Sequence, residues 1–478
     1  MKKFVKGANP YMPLWEHVPD GEPRVFEYGG EKRVYVYGSH DIEREQYCGR
    51  NYVVWSAPVD NLTDWKCHGV AYETHYDSIL YAPDVVKRGD TYYMYAAEKK
   101  GSLVVVASSE TPYGPFENPV ETKLGFDPGV LVDDDNKVYA YWGGCAAPCY
   151  IAELEEDMAT IKPGTLVENP MGHSTCPWDP KDDGHISLID AFFEASSPRK
   201  VLGKYVYIYS KRYEKPVPEL GVFEPCNGFL SYKFGDTPFG PFRDGGDFSF
   251  NGGEILKDSD GLGTMTYQWG NNHGSIMEIN GKWYVFYHRQ TGLNEYSRQA
   301  MMEPVDVALG TDGKLYIGDI KYLNGEPVSS KPVEMTSQGA RVNGIDAYLW
   351  ISAGYACHIY GSKKRAYVKP GYDEREDIST PVMDITSGTT VGFRYLQFGT
   401  VSPKNVTAIL TDACRVKVLV RLDSYKGRII AELNFDGSSN EQTADLSTGV
   451  IGRHAVYFEF VSEDKNACYG FDRFTFDR

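Results

Sequence analysis

The chain has 478 residues, with 66 Asp and Glu against 49 Lys and Arg, for a formal net charge of −17. That balance excludes nucleic acid and anionic membrane as expected partners, because both require a basic surface, and no stretch reaches the ~18 apolar residues needed to span a bilayer. The length calls for about two to three domains, and 36 tyrosines within a 14% aromatic content favour β structure.

In chain order, the N-terminal MKKFVKGANPYMPLW is basic but lacks the apolar run of a secretory signal. The nine cysteines, odd in number and scattered from Cys48 to Cys468, read as reduced thiols. The expected location is therefore the cytoplasm, or outside the cell if a leader has been trimmed. One phrase then recurs five times: VFEYGGEKRVYVYGS (25–39), VVKRGDTYYMYAA (85–97), VLVDDDNKVYAYWG (130–143), PRKVLGKYVYIYS (198–210) and IMEINGKWYVFYH (276–288). Each is an alternating run broken by a tight turn, which predicts a β-hairpin. Hairpins recurring with no helical pattern between them signal a repeat architecture. One four-stranded blade per copy predicts a five-bladed β-propeller over residues 1–325. SETPYGPFENP and GDTPFGPFRDG mark blade ends through their Pro and Gly turns. An irregular insertion from Thr175 to Asp190 reads as a loop that walls a site. Residues 326–339, rich in Pro and Ser, read as a linker. Residues 340–478 carry short alternating strands, which predict a β-sandwich. The fold class is all-β.

Just before the opening strand of each phrase stand Glu22, Asp84, Asp127, Glu194 and His273. If every phrase opens the innermost strand of its blade, four carboxylates and one histidine converge on the mouth of the central channel. Glycoside hydrolysis needs two carboxyl groups on opposite faces of a sugar, one protonated and one ionised. A third nearby raises the acid's pKa by like-charge repulsion. Glu22, Asp127 and Glu194 supply such a set, and the apolar AFFEASS flank desolvates Glu194. A lone Asp-Pro or Glu-Pro is ordinarily a strand-entry turn, a reading that four acids at one repeat position weaken. Tyr81, Trp178, Phe193 and Trp269 suit stacking on a sugar ring, or plain packing.

The motifs NPYMPLWEHVPDGEPRVF, YAPDVV, FDPGVLVDDD, FFEASSPRK and NNHGSIMEINGKWYVFYHR, spread in order from Asn9 to Tyr322, resemble the blade motifs of glycoside hydrolase family 43. The resemblance implies an inverting glycosidase on a five-bladed propeller with an oligosaccharide substrate and no organic cofactor. An exo-acting α-L-arabinofuranosidase is the first expectation, and a β-D-xylosidase or a galactofuranosidase or galactanase the alternative. It implies Glu194 as general acid, Asp127 as the carboxylate that tunes it, and His273 beside calcium or another ion in the channel. Arg298 would reach the substrate, with Tyr81, Asp84, Phe193 and Trp269 shaping the sugar site. The family's base is an Asp in an Asp-Pro. Here Glu22-Pro23 stands at that place, so Glu22 is taken as the base, with Asp20 as the alternative or as a substrate contact. GFRYLQFG, GRHAVYFEFVS and YGFDRFTFD resemble carbohydrate-binding module family 6, although Arg473 stands where that family has a Trp. Sugar binding and simple buttressing both stay open for this part. The rival class is a sugar-binding propeller without turnover.

Overall fold

The computed structural model describes residues 5–42, 46–144, 148–171, 191–213, 215–292, 295–361, 365–373 and 380–478. The first sheet comprises β1 (Glu22–Tyr28), β2 (Glu31–Tyr37), β3 (Asn51–Pro58) and β4 (Lys66–Glu73), and the second β5 (Tyr81–Arg88), β6 (Thr91–Ala97), β7 (Leu103–Ser109) and β8 (Glu117–Glu121). The third holds β9 (Gly129–Val132), β10 (Val138–Trp142), β11 (Tyr150–Leu154) and β12 (Val167–Glu168), and the fourth β13 (Ala191–Val201), β14 (Lys204–Tyr213), β15 (Cys226–Gly235) and β16 (Arg243–Phe250). All four are antiparallel meanders. A short hairpin, β17 (Ile255–Lys257) with β18 (Gly263–Met265), leads to the fifth sheet: β19 (Ser275–Ile279), β20 (Lys282–Arg289) and β21 (Gln299–Pro304).

The recurring phrase is the innermost hairpin of each sheet. Gly29-Gly30 and Asn280-Gly281 turn the first and fifth hairpins with positive φ at both positions, the geometry that matches the twist of paired strands. The innermost strands stand side by side around one axis, β1 next to β5 and β19, and β9 next to β5 and β13. Hydrogen bonds from Arg199 Nε to Ile276 O (3.2 Å) and from Ser197 Oγ to Ser275 Oγ (2.7 Å) close the ring between β13 and β19. Cores lie between neighbouring blades. Val34, Val36 and Trp55 meet Phe286 and Met302 across the first and fifth, and Val86 and Tyr95 meet Val130 and Trp142 across the second and third. Each such side chain contributes about 1.5–3 kcal/mol by leaving water. This is a five-bladed β-propeller. The fifth sheet has three strands among the described residues, and the N-terminal segment runs along its outer strand: Tyr11 N donates to Ala300 O (3.2 Å) and Met302 N to Asn9 Oδ1 (2.9 Å).

The stretch 326–339 is not a free linker. Glu326–Lys331 forms β24, antiparallel to β23 (Leu315–Leu323), which also pairs with β22 (Asp306–Leu309). Beyond it, Thr336 binds Glu303 through its backbone N–H (2.7 Å) and its hydroxyl (2.7 Å). The polar composition of β24 reflects its mostly exposed faces, which made an edge strand look like a tether.

The remainder is a sandwich of two six-stranded sheets. One contains β25 (Ile345–Asp346), β27 (His358–Tyr360), β30 (Thr390–Gln397), β32 (Arg415–Leu422), β33 (Ile429–Asp436) and β35 (Arg453–Val461). The other contains β26 (Ile351–Ser352), β28 (Tyr367–Val368), β29 (Val382–Ile385), β31 (Asn405–Leu410), β34 (Glu441–Asp445) and β36 (Tyr469–Asp477). Their facing side chains, Phe393, Phe458, Phe471 and Phe474 among them, form one core that also takes in Val5, Ala8 and Leu14 from the N-terminus. Arg394 Nη1 reaches Glu254 (3.2 Å) and Glu334 (3.0 Å) across the seam with the propeller. Arg473 lies over the Trp350 ring at 5.5 Å.

Candidate active site

Residues just before the inner strands open onto a cavity of about 540 Å³. Asp20, Asp127, Glu194 and His273 line it, together with the aromatic rings of Tyr47, Tyr81, Phe126, Phe193 and Trp269. Local backbone aims the acids. Asp20 and Asp127 take positive φ (60° and 49°), and Ala195, directly after Glu194, takes φ 68°. The register of β13 slips on both sides of Glu194, a bulge that redirects a side chain out of the regular alternation.

Asp20 is held as an anion. Ser39 Oγ donates to its Oδ2 (2.6 Å), Arg298 Nη1 to its Oδ1 (3.0 Å), and His288 Nδ1 stands 3.4 Å from Oδ1. Burial pushes its pKa up, but Arg298, His288, His273 and Ser39 outweigh burial and hold it below the usual carboxylate range. Arg298 is itself fixed by Asp41, whose carboxylate accepts from Nε and Nη2 at 3.0 Å each, and by the Tyr47 ring 4.2 Å beneath the guanidinium.

Asp127 has the opposite environment. Its Oδ2 accepts from Ala195 N (3.1 Å), which ties it to the strand that carries Glu194. Burial drives its pKa well up, and the charges of Glu194 and Asp20 add to that against the opposing pull of His273. Asp127 thus retains a proton more readily than an isolated carboxyl does, with the Glu194 charge among those that repel its ionised form. His273 stands between tiers, Nδ1 3.6 Å from Asp127 Oδ2 and Nε2 3.7 Å from Glu22 Oε1. Burial disfavours its charged ring, yet Glu22, Asp127 and Asp20 prevail and raise its pKa to about 9.

Three expected site residues lie elsewhere. Glu22 does not line the cavity. Its Oε2 accepts from Arg199 Nη2 (2.5 Å) and Ser197 Oγ (3.1 Å) deeper in the channel. Asp84, fully buried, takes Arg24 through both oxygens (3.1 and 2.6 Å) and the Val130 N–H (2.8 Å). Arg298 stands behind Asp20 rather than in the cavity wall. The physical reason is pairing: Glu22 and Asp84 each have a guanidinium partner at blade-to-blade distance, which draws them into the axis. Tyr81, Phe193 and Trp269 do line the cavity, Tyr81 edge-on between Tyr47 (5.8 Å) and Phe126 (5.6 Å). Trp178 and the insertion Thr175 to Asp190 lie outside the described residues. Sequence reasoning missed Tyr47, Phe126, Arg212 and Asn271. Phe126 directly precedes Asp127 and was within reach, whereas Tyr47 sits in a segment without any motif.

The donor set does not fit a metal ion held by His273. Its Nδ1 stands 3.6 Å from Asp127 Oδ2 and its Nε2 3.7 Å from Glu22 Oε1, so both ring nitrogens face carboxylates and neither is directed at an open ligand position. Among the described residues no group of three or more His, Cys, Asp or Glu is arranged to hold a metal.

The chain has relatives among known proteins. Residues 23–178 match the model for glycosyl hydrolases family 43. A xylosidase/arabinosidase of Thermoclostridium stercorarium is 31% identical across 95% of this chain and 95% of its own length. An arabinoxylan arabinofuranohydrolase of Bacillus subtilis is 26% identical across 97% of this chain and 92% of its own. A solved structure of a family 43 arabinoxylan arabinofuranohydrolase from Bacillus subtilis, in complex with cellotetraose, aligns over 99% of both chains at 21% identity with a TM-score of 0.48. With a relative this similar over nearly its whole length and an acid-lined cavity on the propeller axis, the chain belongs to glycoside hydrolase family 43 and is a glycosidase that hydrolyses O-glycosyl bonds.

Proposed function

We propose that the enzyme removes terminal α-L-arabinofuranosyl units from xylan-derived oligosaccharides with inversion, using Asp20 as base and Glu194 as acid. The observation that carries this reading is the contrast within one cavity: Asp20 bound by Arg298 and Ser39, whose interactions favour its ionised form, and Glu194 lining the same cavity beside Asp127, whose burial and acidic neighbours favour its protonated form. Asp20 takes a proton from water as the water oxygen bonds to the anomeric carbon. The glycosidic C–O bond breaks on the other face, and Glu194 gives its proton to the leaving oxygen. Asp127 keeps that proton on the pair until it is needed, and its bond to Ala195 N orients the acid. His273 balances the charge beneath them. Glu22, the base expected from its Glu-Pro, is spent on Arg199.

The relatives, a xylosidase/arabinosidase and an arabinoxylan arabinofuranohydrolase, support the sugar class, and the pairing of xylosidase with arabinosidase makes β-D-xylosyl removal the second reading. Proton NMR of the first-formed sugar from an arabinoxylo-oligosaccharide tests the mechanism. The expected product is the inverted anomer of arabinose, and net retention overturns the assignment of Asp20 as a base acting through water.

A further inference from the structure

A second cavity, of about 560 Å³, lies on the seam between propeller and sandwich. Tyr267, Trp269 and Gln290 form its propeller wall, and Tyr360 of β27, Arg365 and Tyr367 of β28 its sandwich wall. It adjoins the acid-lined cavity. Half-buried Trp269 lines both, and Gln290 Nε2, on the seam side, donates to Oδ1 of Asn271, on the acid side, at 3.1 Å. The seam is held firmly: Ile359 N donates to Thr266 O (2.6 Å), and Arg289 Nη1 to Ala356 O (2.6 Å) while its guanidinium stacks on Tyr267 at 5.5 Å. No carboxylate lines the seam cavity among the described residues. Aromatic faces, the Arg365 guanidinium donor and the buried Gln290 Oε1, an acceptor without a partner among the described residues, match a neutral pyranose chain, whose C–H faces stack and whose hydroxyls both donate and accept hydrogen bonds.

We infer that the seam cavity holds the xylosyl units of the leaving chain, so that the sandwich completes the substrate site instead of acting as a separate binding module. This rests on the glycosidase reading above. The sugar to be cleaved enters the acid-lined cavity, and the chain it leaves behind runs past Trp269 onto Tyr360, Arg365 and Tyr367.

Arg365→Ala, at an exposed position, and Tyr367→Ala are compared with the unaltered protein on two substrates. KM for an arabinoxylo-oligosaccharide should rise about tenfold in the double variant with kcat within twofold, while kinetics on an aryl arabinofuranoside, which lacks the chain, should not move. An oligosaccharide KM unchanged in both single variants and the double variant overturns the inference. Calorimetric binding of xylotetraose in a Glu194→Gln background separates this from the parent reading. If no glycoside is turned over yet Arg365→Ala still weakens xylotetraose binding severalfold, the seam site stands and the catalytic reading falls. Binding that is indifferent to both substitutions overturns the seam site.

Discussion

Two tiers of charge lie on the propeller axis, built from the same residue types at the same repeat position, and they have opposite fates. The lower tier, Glu22 with Arg199 and Asp84 with Arg24, matches each carboxylate to a guanidinium and links all five inner strands, since Arg24 also donates to Val130 O (2.9 Å) and Arg199 to Ile276 O. The upper tier sets Asp127 against Glu194, with His273 Nδ1 3.6 Å from Asp127 and Arg298 paired with Asp20. Matched buried charges hold blades together. Frustrated ones keep a proton in play. Position in the repeat does not distinguish the tiers; pairing does.

The largest expected effect tests the upper tier. Asp20→Asn and Glu194→Gln should each lower kcat on natural oligosaccharides by about a hundred- to ten-thousand-fold, the usual worth of a positioned acid or base. Arg298 keeps Asp41 when Asp20 is neutralised, so the thermal midpoint should change little. Glu194→Gln should spare activated aryl glycosides, whose leaving groups need no proton. Equal losses on both substrate types would reassign Glu194 to a structural part.

Glu22→Gln tests the lower tier, and its signature should be reversed. It leaves the buried Arg199 guanidinium without its anion, an imbalance that costs about 3–5 kcal/mol. Chemical denaturation should show that loss, while the folded fraction keeps kcat within about tenfold. A stable protein with abolished turnover would restore Glu22 as the base.

This reversal also marks where the sequence was legible. The five hairpins announced themselves because turn residues and alternation are local, and Gly29-Gly30 or Asn280-Gly281 needs no distant partner to form its turn. The acid-lined cavity was legible as far as Asp127, Glu194 and His273, which follow from the hairpin count. The base was not. Whether Glu22 or Asp20 faces the cavity depends on Arg199 and Arg298, 177 and 278 residues away, which no local pattern reports. The same holds for the stretch 326–339, where a polar edge strand and a tether share one composition. The seam cavity was invisible for a further reason: its walls come from two folding units.

His273 joins the tiers, and its titration sharpens the contrast. Its pKa in the folded chain, about 9, lies above the ordinary value near 6.5, so protonation favours the folded state. The stability it contributes is fully present below about pH 6.5 and is lost as pH rises through about 9. Denaturation midpoints should therefore fall across that window in the unaltered protein and much less in His273→Gln. The same downward slope in both proteins would place the titration on another group.

The smallest expected effect isolates one hydrogen bond to the base. Ser39 Oγ donates to Asp20 Oδ2 and favours the ionised carboxylate. A single such bond contributes roughly 1 kcal/mol, and one pKa unit corresponds to about 1.4 kcal/mol. Ser39→Ala should raise the pKa of Asp20 by roughly half a unit to one unit. Asp20 works only when ionised, so the acid limb of the kcat/KM profile should move to higher pH by that amount with the plateau nearly unchanged. Ser39 bonds to Asp20 and Glu22 to Arg199, so the lower tier should not register the change. An acid limb that stays in place while the plateau drops would mean that Ser39 orients Asp20 without setting its charge, and the division between the tiers would then rest on geometry alone.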